Sequence, residues 1–121
     1  MSDLTVDTRD VEDVTVLYPR GFINAHTVRE FDSAIQKAIF RRRFKIVVNC
    51  EGLTYIASAG LGAMMGAIEE IRGSGGDLRL AGLNDTVDNI FEILGFNHLY
   101  RTYPSEAEAL SSFREGGQAA S

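Results

Sequence analysis

The chain has 121 residues, of which 45% are hydrophobic, one cysteine and a net charge of −5. That size suits one domain able to bury a core, and the negative charge argues against a duplex nucleic-acid binder. No stretch approaches the roughly 20 apolar residues that cross a bilayer, and the acidic N-terminus MSDLTVDTRD lacks a signal core, so a cytoplasmic location is expected. The lone Cys50 has no partner for an internal disulfide, which fits a reducing compartment.

Leu4-Thr5-Val6 and Val14-Thr15-Val16-Leu17-Tyr18 read as an antiparallel hairpin across the charged turn Arg9–Asp13, and Pro19-Arg20-Gly21 is expected to end it. Thr27 and Glu30 have capping-box spacing, so a helix is predicted from Thr27, with Val28, Phe31, Ile35 and Ile39 as its buried stripe. Arg41-Arg42-Arg43 falls at its end, where cations meet unpaired carbonyls; a solvated helix end is the simpler reading than a binding patch.

The organising stretch follows. Ile46-Val47-Val48 has the β-branched content of a buried strand. Leu61, Met64, Met65, Ile68 and Ile71 recur at helical spacing. Between them lies Ala57-Ser58-Ala59-Gly60, a small-residue turn into a helix start, where unpaired N–H groups make an electropositive tip. Gly73-Ser74-Gly75-Gly76 ends that helix, and Leu78–Leu83 reads as the next strand. Asn84 or Asp85 can cap a helix carrying Val87, Ile90, Phe91 and Leu94, with Gly95 as its stop. Leu99–Tyr103 reads as a short edge strand, and Ser105–Glu108 as a capping box opening a last helix with Leu110 and Phe113 inward.

The sum is an α/β fold. An N-terminal antiparallel hairpin precedes strand–helix–strand units in a mixed sheet of about 4–5 strands, with about four helices. Residues 1–115 form the domain and 116–121 a small, polar, flexible tail.

Little of this is catalytic in pattern. A nucleophile elbow around Ser58 needs a glycine two residues before it, and Ile56 stands there. Only His26 and His98 could act as an imidazole base, and neither has a motif around it. Gly60-Leu61-Gly62 lacks the lysine and serine of a phosphate loop, and Cys50, His26 and His98 are too scattered for a metal site. No cofactor is expected. From the residues alone the simpler reading of Ser58 is an ordinary N-cap, with Gly60 and Gly62 permitting close helix–sheet packing.

The run from Ile46 through Leu53-Thr54-Tyr55-Ile56-Ala57-Ser58-Ala59-Gly60-Leu61-Gly62 resembles the signature of the STAS domain, in particular that of the bacterial anti-sigma factor antagonists. Gly21-Phe22-Ile23-Asn24-Ala25-His26-Thr27 is similar to the family's Gly-x-Ile/Leu-Asp before its first helix. The resemblance covers about Leu4 to Phe113. It implies a binding protein and not an enzyme, whose partner is an anti-sigma factor, usually a serine kinase of ATPase-like fold. Binding frees the sigma factor. It further implies phosphorylation by that kinase on Ser58, with reversal by a serine phosphatase. The implied partner-binding residues are Asn24, Ala25, His26, Ala57, Ser58, Ala59, Gly60, Leu61 and Met64. No nucleic-acid contact or membrane insertion is implied. Two positions depart from the family pattern: Asn24 and Ala57 stand where relatives usually carry Asp, and Ala59 leaves Ser58 the only hydroxyl of the turn. Other tasks known for such modules are a scaffold, an accessory subunit of a membrane lipid transporter, and a small-ligand or nucleotide binder at the helix tip.

Overall fold

A computed structural model describes residues 3–120, with side chains through Arg114. Strands β1 (Leu4–Val11) and β2 (Val14–Ile23) form the predicted hairpin, longer than expected, with the turn confined to Glu12 and Asp13. Then come α1 (Val28–Phe40), β3 (Lys45–Asn49), β4 (Leu53–Ile56), α2 (Ser58–Gly73), β5 (Asp77–Ala81) and α3 (Asp85–Ile93). A 3₁₀ turn (Phe96–His98), β6 (Thr102–Tyr103) and α4 (Glu106–Ala120) complete the chain. The helix therefore continues past position 116, where the sequence suggests a tail; Ser121 lies outside the described residues.

The six strands form one mixed sheet in the order β1-β2-β3-β5-β6, with β4 pairing to the far end of β2. All pairs but β1–β2 are parallel. Ile46, Val48, Leu78 and Leu80 face one core, built with Phe31, Ile35, Leu61, Met64 and Phe91 from the helices on that side. Val14, Val16, Val47 and Ala81 face a second, smaller core closed by Ala109 and Phe113 of α4. Burial on both faces explains why the central strands read as apolar runs and not as alternation.

β2 does not stop at Pro19. The Gly21 N–H donates to the Gly52 carbonyl at 3.0 Å, so Pro19, two residues earlier, turns its nitrogen toward the same flank. On that flank β2 is changing partner, from β3, whose last pair is Leu17–Val48, to β4, whose first is Gly21–Leu53. The missing donor therefore costs no ladder bond. β4 itself is the strand that the sequence hides. Leu53 and Ile56 are buried while Thr54 and Tyr55 are exposed, so its four residues show neither alternation nor an apolar run.

The helix caps divide. Asn84 accepts from the Val87 N–H at 2.9 Å, and the Glu108 N–H donates to the Ser105 hydroxyl at 3.2 Å, as their spacing suggests. Thr27 does not form the expected capping box: its hydroxyl turns back into the loop before α1. Arg41 and Arg43 are no free patch. Both pair with Asp10, at 2.5 and 3.2 Å, and Arg43 also donates to the carbonyls of Glu12 and Val14, tying the end of α1 to the hairpin.

Candidate functional site

The site lies where β2 and β4 end side by side. Ile23 pairs with Ile56, so the residues that follow, Asn24 and Ala57, leave the sheet together. The Ala57 N–H donates to the Ile23 carbonyl at 2.8 Å and carries the strand pairing one step beyond β4. The chain then turns at once into α2, with Ala57 as the N-cap in an extended conformation and no side-chain cap.

Ser58 is thus the first residue of the helix and not its cap. The distinction matters chemically. A capping serine spends its hydroxyl on the helix's own N–H groups. Ser58 instead is exposed, and among the described residues its hydroxyl has no hydrogen-bond partner. No base is therefore poised on it. The first internal bonds of α2 run from the N–H groups of Gly60 and Leu61 to the Ala57 carbonyl, at 2.9 and 3.4 Å. Those of Ser58 and Ala59 find no acceptor among the described residues, and the first turn contains no acidic side chain. An anion on the Ser58 oxygen would meet unpaired donors and the positive end of the helix dipole.

The neighbouring loop is locked by its own side chains. The Asn24 Oδ1 accepts from the His26 and Thr27 N–H groups at 2.9 and 3.1 Å. The Thr27 hydroxyl accepts from the Asn24 N–H and donates to the Phe22 carbonyl, both at 2.9 Å. These bonds hold the exposed Ala25 and His26 at the same end of the sheet as Ser58.

Gly60 seats the helix on the two strand ends. A Cβ there would meet the Ile23 Cγ2 and the Ile56 Cγ1 at 2.7 Å, closer than real carbon contacts allow. It is buried, and so are Leu61 and Met64, each only 1% exposed. These last two belong to the main core and cannot touch a docked protein in this conformation, which corrects the direct contact assigned to them from sequence. Gly62 and Met65 lie outside the site residues expected from sequence, which counts Met65 in the apolar stripe of the helix. They follow Ser58 by four and seven positions, on the same helix face. Met65 is 47% exposed, and a Cβ at Gly62 would meet nothing. Ser58 is out of phase with Leu61, Met64, Ile68 and Ile71, so residues in phase with Ser58 face outward, and Met65 departs from the apolar stripe expected to include it. Tyr55 of β4, 48% exposed, adds a further apolar side chain just before the turn.

The other reactive side chains are elsewhere. Burial pushes the Cys50 thiol up to about 12, so it remains protonated and inert. His98 lies in the 3₁₀ turn after α3. Among the described residues no three His, Cys, Asp or Glu side chains gather to hold a metal ion, and no helix is long and apolar enough to cross a membrane.

This fold, with a serine opening a helix at the parallel strand ends, defines a small α/β module. Residues 5–109 match the model of the STAS domain, and the chain belongs to that family. It is 25% identical over 105 residues to the anti-sigma-B factor antagonist of Listeria monocytogenes, covering 87% of this chain and 91% of that one. The unphosphorylated anti-sigma factor antagonist SpoIIAA superposes with a TM-score of 0.79 at 25% identity, over 92% of this chain and 97% of that one. The phosphorylated form of the Bacillus SpoIIAA superposes with a TM-score of 0.68 at 22% identity, over 91% and 98%.

Proposed function

We propose that this protein is an anti-sigma factor antagonist: it binds an anti-sigma factor through the face around Ser58, and phosphate on Ser58 releases it. The observation that carries the reading is the placement of Ser58 as an exposed first residue of α2, its hydroxyl without a partner among the described residues, beside the Asn24 loop. Its relatives bear that functional name, and the matched SpoIIAA exists in phosphorylated and unphosphorylated forms. The docking face comprises Ala25, His26, Ser58, Ala59, Gly62 and Met65, with Asn24 and Ala57 shaping it and Gly60, Leu61 and Met64 supporting it from beneath.

Phosphate brings about −1.5 to −2 charges and three acceptor oxygens. At the start of α2 the fold tolerates it, because unpaired N–H groups and the helix dipole favour an anion. The cost falls on the docked partner, through repulsion and desolvation. The kinase would be the anti-sigma factor itself, of ATPase-like fold, and a serine phosphatase would reset the switch. The protein acts by binding and not by catalysis, in the cytoplasm. An apolar helix face beside an unpaired hydroxyl suits docking, and the inert Cys50 offers no nucleophile.

The test is reconstitution with the serine kinase encoded nearest to this chain. With ATP, one phosphate should map to Ser58, and the phosphorylated protein should lose the complex that the unmodified one forms. Phosphate mapped to Thr54 or Ser74, or a complex indifferent to phosphorylation, would overturn the assignment.

A further inference from the structure

The outer edge of β1 is open. β1 ends the sheet order, and among the described residues no strand pairs with its far side. The Phe22 N–H donates to the Asp3 carbonyl at 3.4 Å, and Val6 lies opposite Pro19, which has no N–H to give. Along an antiparallel pair, residues bonded to the neighbouring strand alternate with residues that turn away. Val6, Thr8 and Asp10 therefore direct their backbone N–H and C=O groups outward, as a template for one more strand.

Charged side chains on an edge strand commonly bar such pairing. On β1 they select one register of it. Asp7 and Arg9 flank Thr8 and share the sheet face that carries α4, where Arg9 reaches Tyr18 and Glu106. Those two bonds hold Arg9 in place and leave its guanidinium further N–H groups to donate. Asp7 is exposed, and its carboxylate has no hydrogen-bond or ion-pair partner among the described residues. An antiparallel pair of β1 strands with its two-fold axis at Thr8 sets Asp7 opposite Arg9 twice. Moving the axis one residue either way sets Asp7 against Asp7 or Arg9 against Arg9. Opposite charges across a strand pair attract and like charges repel, so the Thr8 register is favoured over both neighbours.

The other sheet face has room for the added strand. Val6 and the exposed Thr8 line a groove of about 530 Å³ between β1 and α1, together with Arg29, Glu30, Ser33 and Lys37. α1 rests over both β1 and β2, so across the axis the two α1 helices would stand about 10 Å apart, the spacing of packed helices.

We propose that two copies of this chain associate through their β1 edges, antiparallel about a two-fold axis at Thr8, with Asp7 of each copy facing Arg9 of the other. The contact is isologous and therefore closes at a dimer. It uses no residue of the Ser58 face and stands whether or not the docking reading is right.

Sedimentation equilibrium of the full chain, from micromolar to millimolar concentration, should show a mass rising from 13.3 kDa toward twice that value. Over the same range, amide exchange should slow at Val6, Thr8 and Asp10 and stay unchanged at Asp7 and Arg9, whose N–H groups already face β2. Asp7→Arg disturbs no contact within the chain and turns both cross-strand pairs repulsive, so it should raise the dissociation constant at least about tenfold. Thr8→Pro removes an outward N–H and no bond of the hairpin, and should weaken the dimer comparably. A monomer at every concentration would overturn the proposal. So would a dimer that Asp7→Arg leaves equally tight, or one that forms without protecting Val6, Thr8 and Asp10.

Discussion

Ala57 donates its backbone N–H to the Ile23 carbonyl at 2.8 Å, one step past the Ile23–Ile56 pair that ends β4. That bond makes Ala57 the extended N-cap and delivers Ser58 to the surface as the first helical residue. Ser58 therefore contributes little to the fold. Ser58→Glu should shift the melting temperature by no more than about 2 °C, since an acid in the first turn suits the helix dipole. The same change should weaken the complex with the anti-sigma factor at least about tenfold, as a buried or facing charge does at a docked surface. Calorimetry on the free protein and on the complex measures both; a large loss of stability would give Ser58 a structural role instead.

Gly60 is the contact between α2 and the two strand ends. With Ile23 and Ile56 side-chain carbons 2.7 Å from where a Cβ would stand, Gly60→Val must push the helix away or displace buried side chains. The expected loss is about 1–3 kcal/mol in urea unfolding. Gly62→Ala, whose added methyl meets nothing, is the control and should be neutral or slightly stabilising in the helix.

The site lacks the two carboxylates that the family pattern places at positions 24 and 57. Asn24 uses its Oδ1 to hold the His26 and Thr27 N–H groups, work that an aspartate oxygen does equally well, so the loop should survive the exchange. Like charges a few ångström apart at a protein surface repel by roughly 1–4 kcal/mol. Without them, phosphate on Ser58 should be well tolerated, while the hydroxyl is less well oriented for transfer. The protein should accept phosphate slowly and keep it. Asn24→Asp with Ala57→Asp should raise the initial rate of transfer from its own kinase; an equal or lower rate would show that the carboxylates are not what limits transfer.

α4 is tethered to the sheet at its first residue. Burial raises the Glu106 pKa, but hydrogen bonds from Asn49, Tyr18 and Arg9 outweigh it and hold the carboxyl below its ordinary 4.5. A carboxyl depressed in the folded state adds stability that is present above the unfolded pKa and lost as pH falls through the folded one. Stability should therefore decline below pH 4.5. Glu106→Gln should flatten that part of the decline. Urea midpoints of the two proteins at about pH 6 and about pH 3.5 measure the difference, which should shrink at the lower pH.

Much of this protein is written in local sequence. The β-branched runs Val14–Leu17 and Ile46–Val48, the phase of Leu61, Met64, Ile68 and Ile71, and the caps Asn84 and Ser105 each rest on the residues' own conformational preferences, so they are legible without a fold. The motif around Ser58 belongs with them. What the tertiary structure decided depends on neighbours distant in sequence. β4 exists because β2 outruns β3 and offers a free flank to Leu53–Ile56, not because those residues favour a strand. Pro19 is tolerated because its nitrogen falls where the ladder changes partner. Thr27 gives up its capping box because Phe22 and Asn24 lie within reach of its hydroxyl. Leu61 and Met64 sink into the core while Met65 stays out, since strand pairing sets how α2 is rotated on the sheet. The Ile23–Ile56 register, a contact between residues 33 positions apart, is what turns a serine in a small-residue turn into an exposed site beside Asn24.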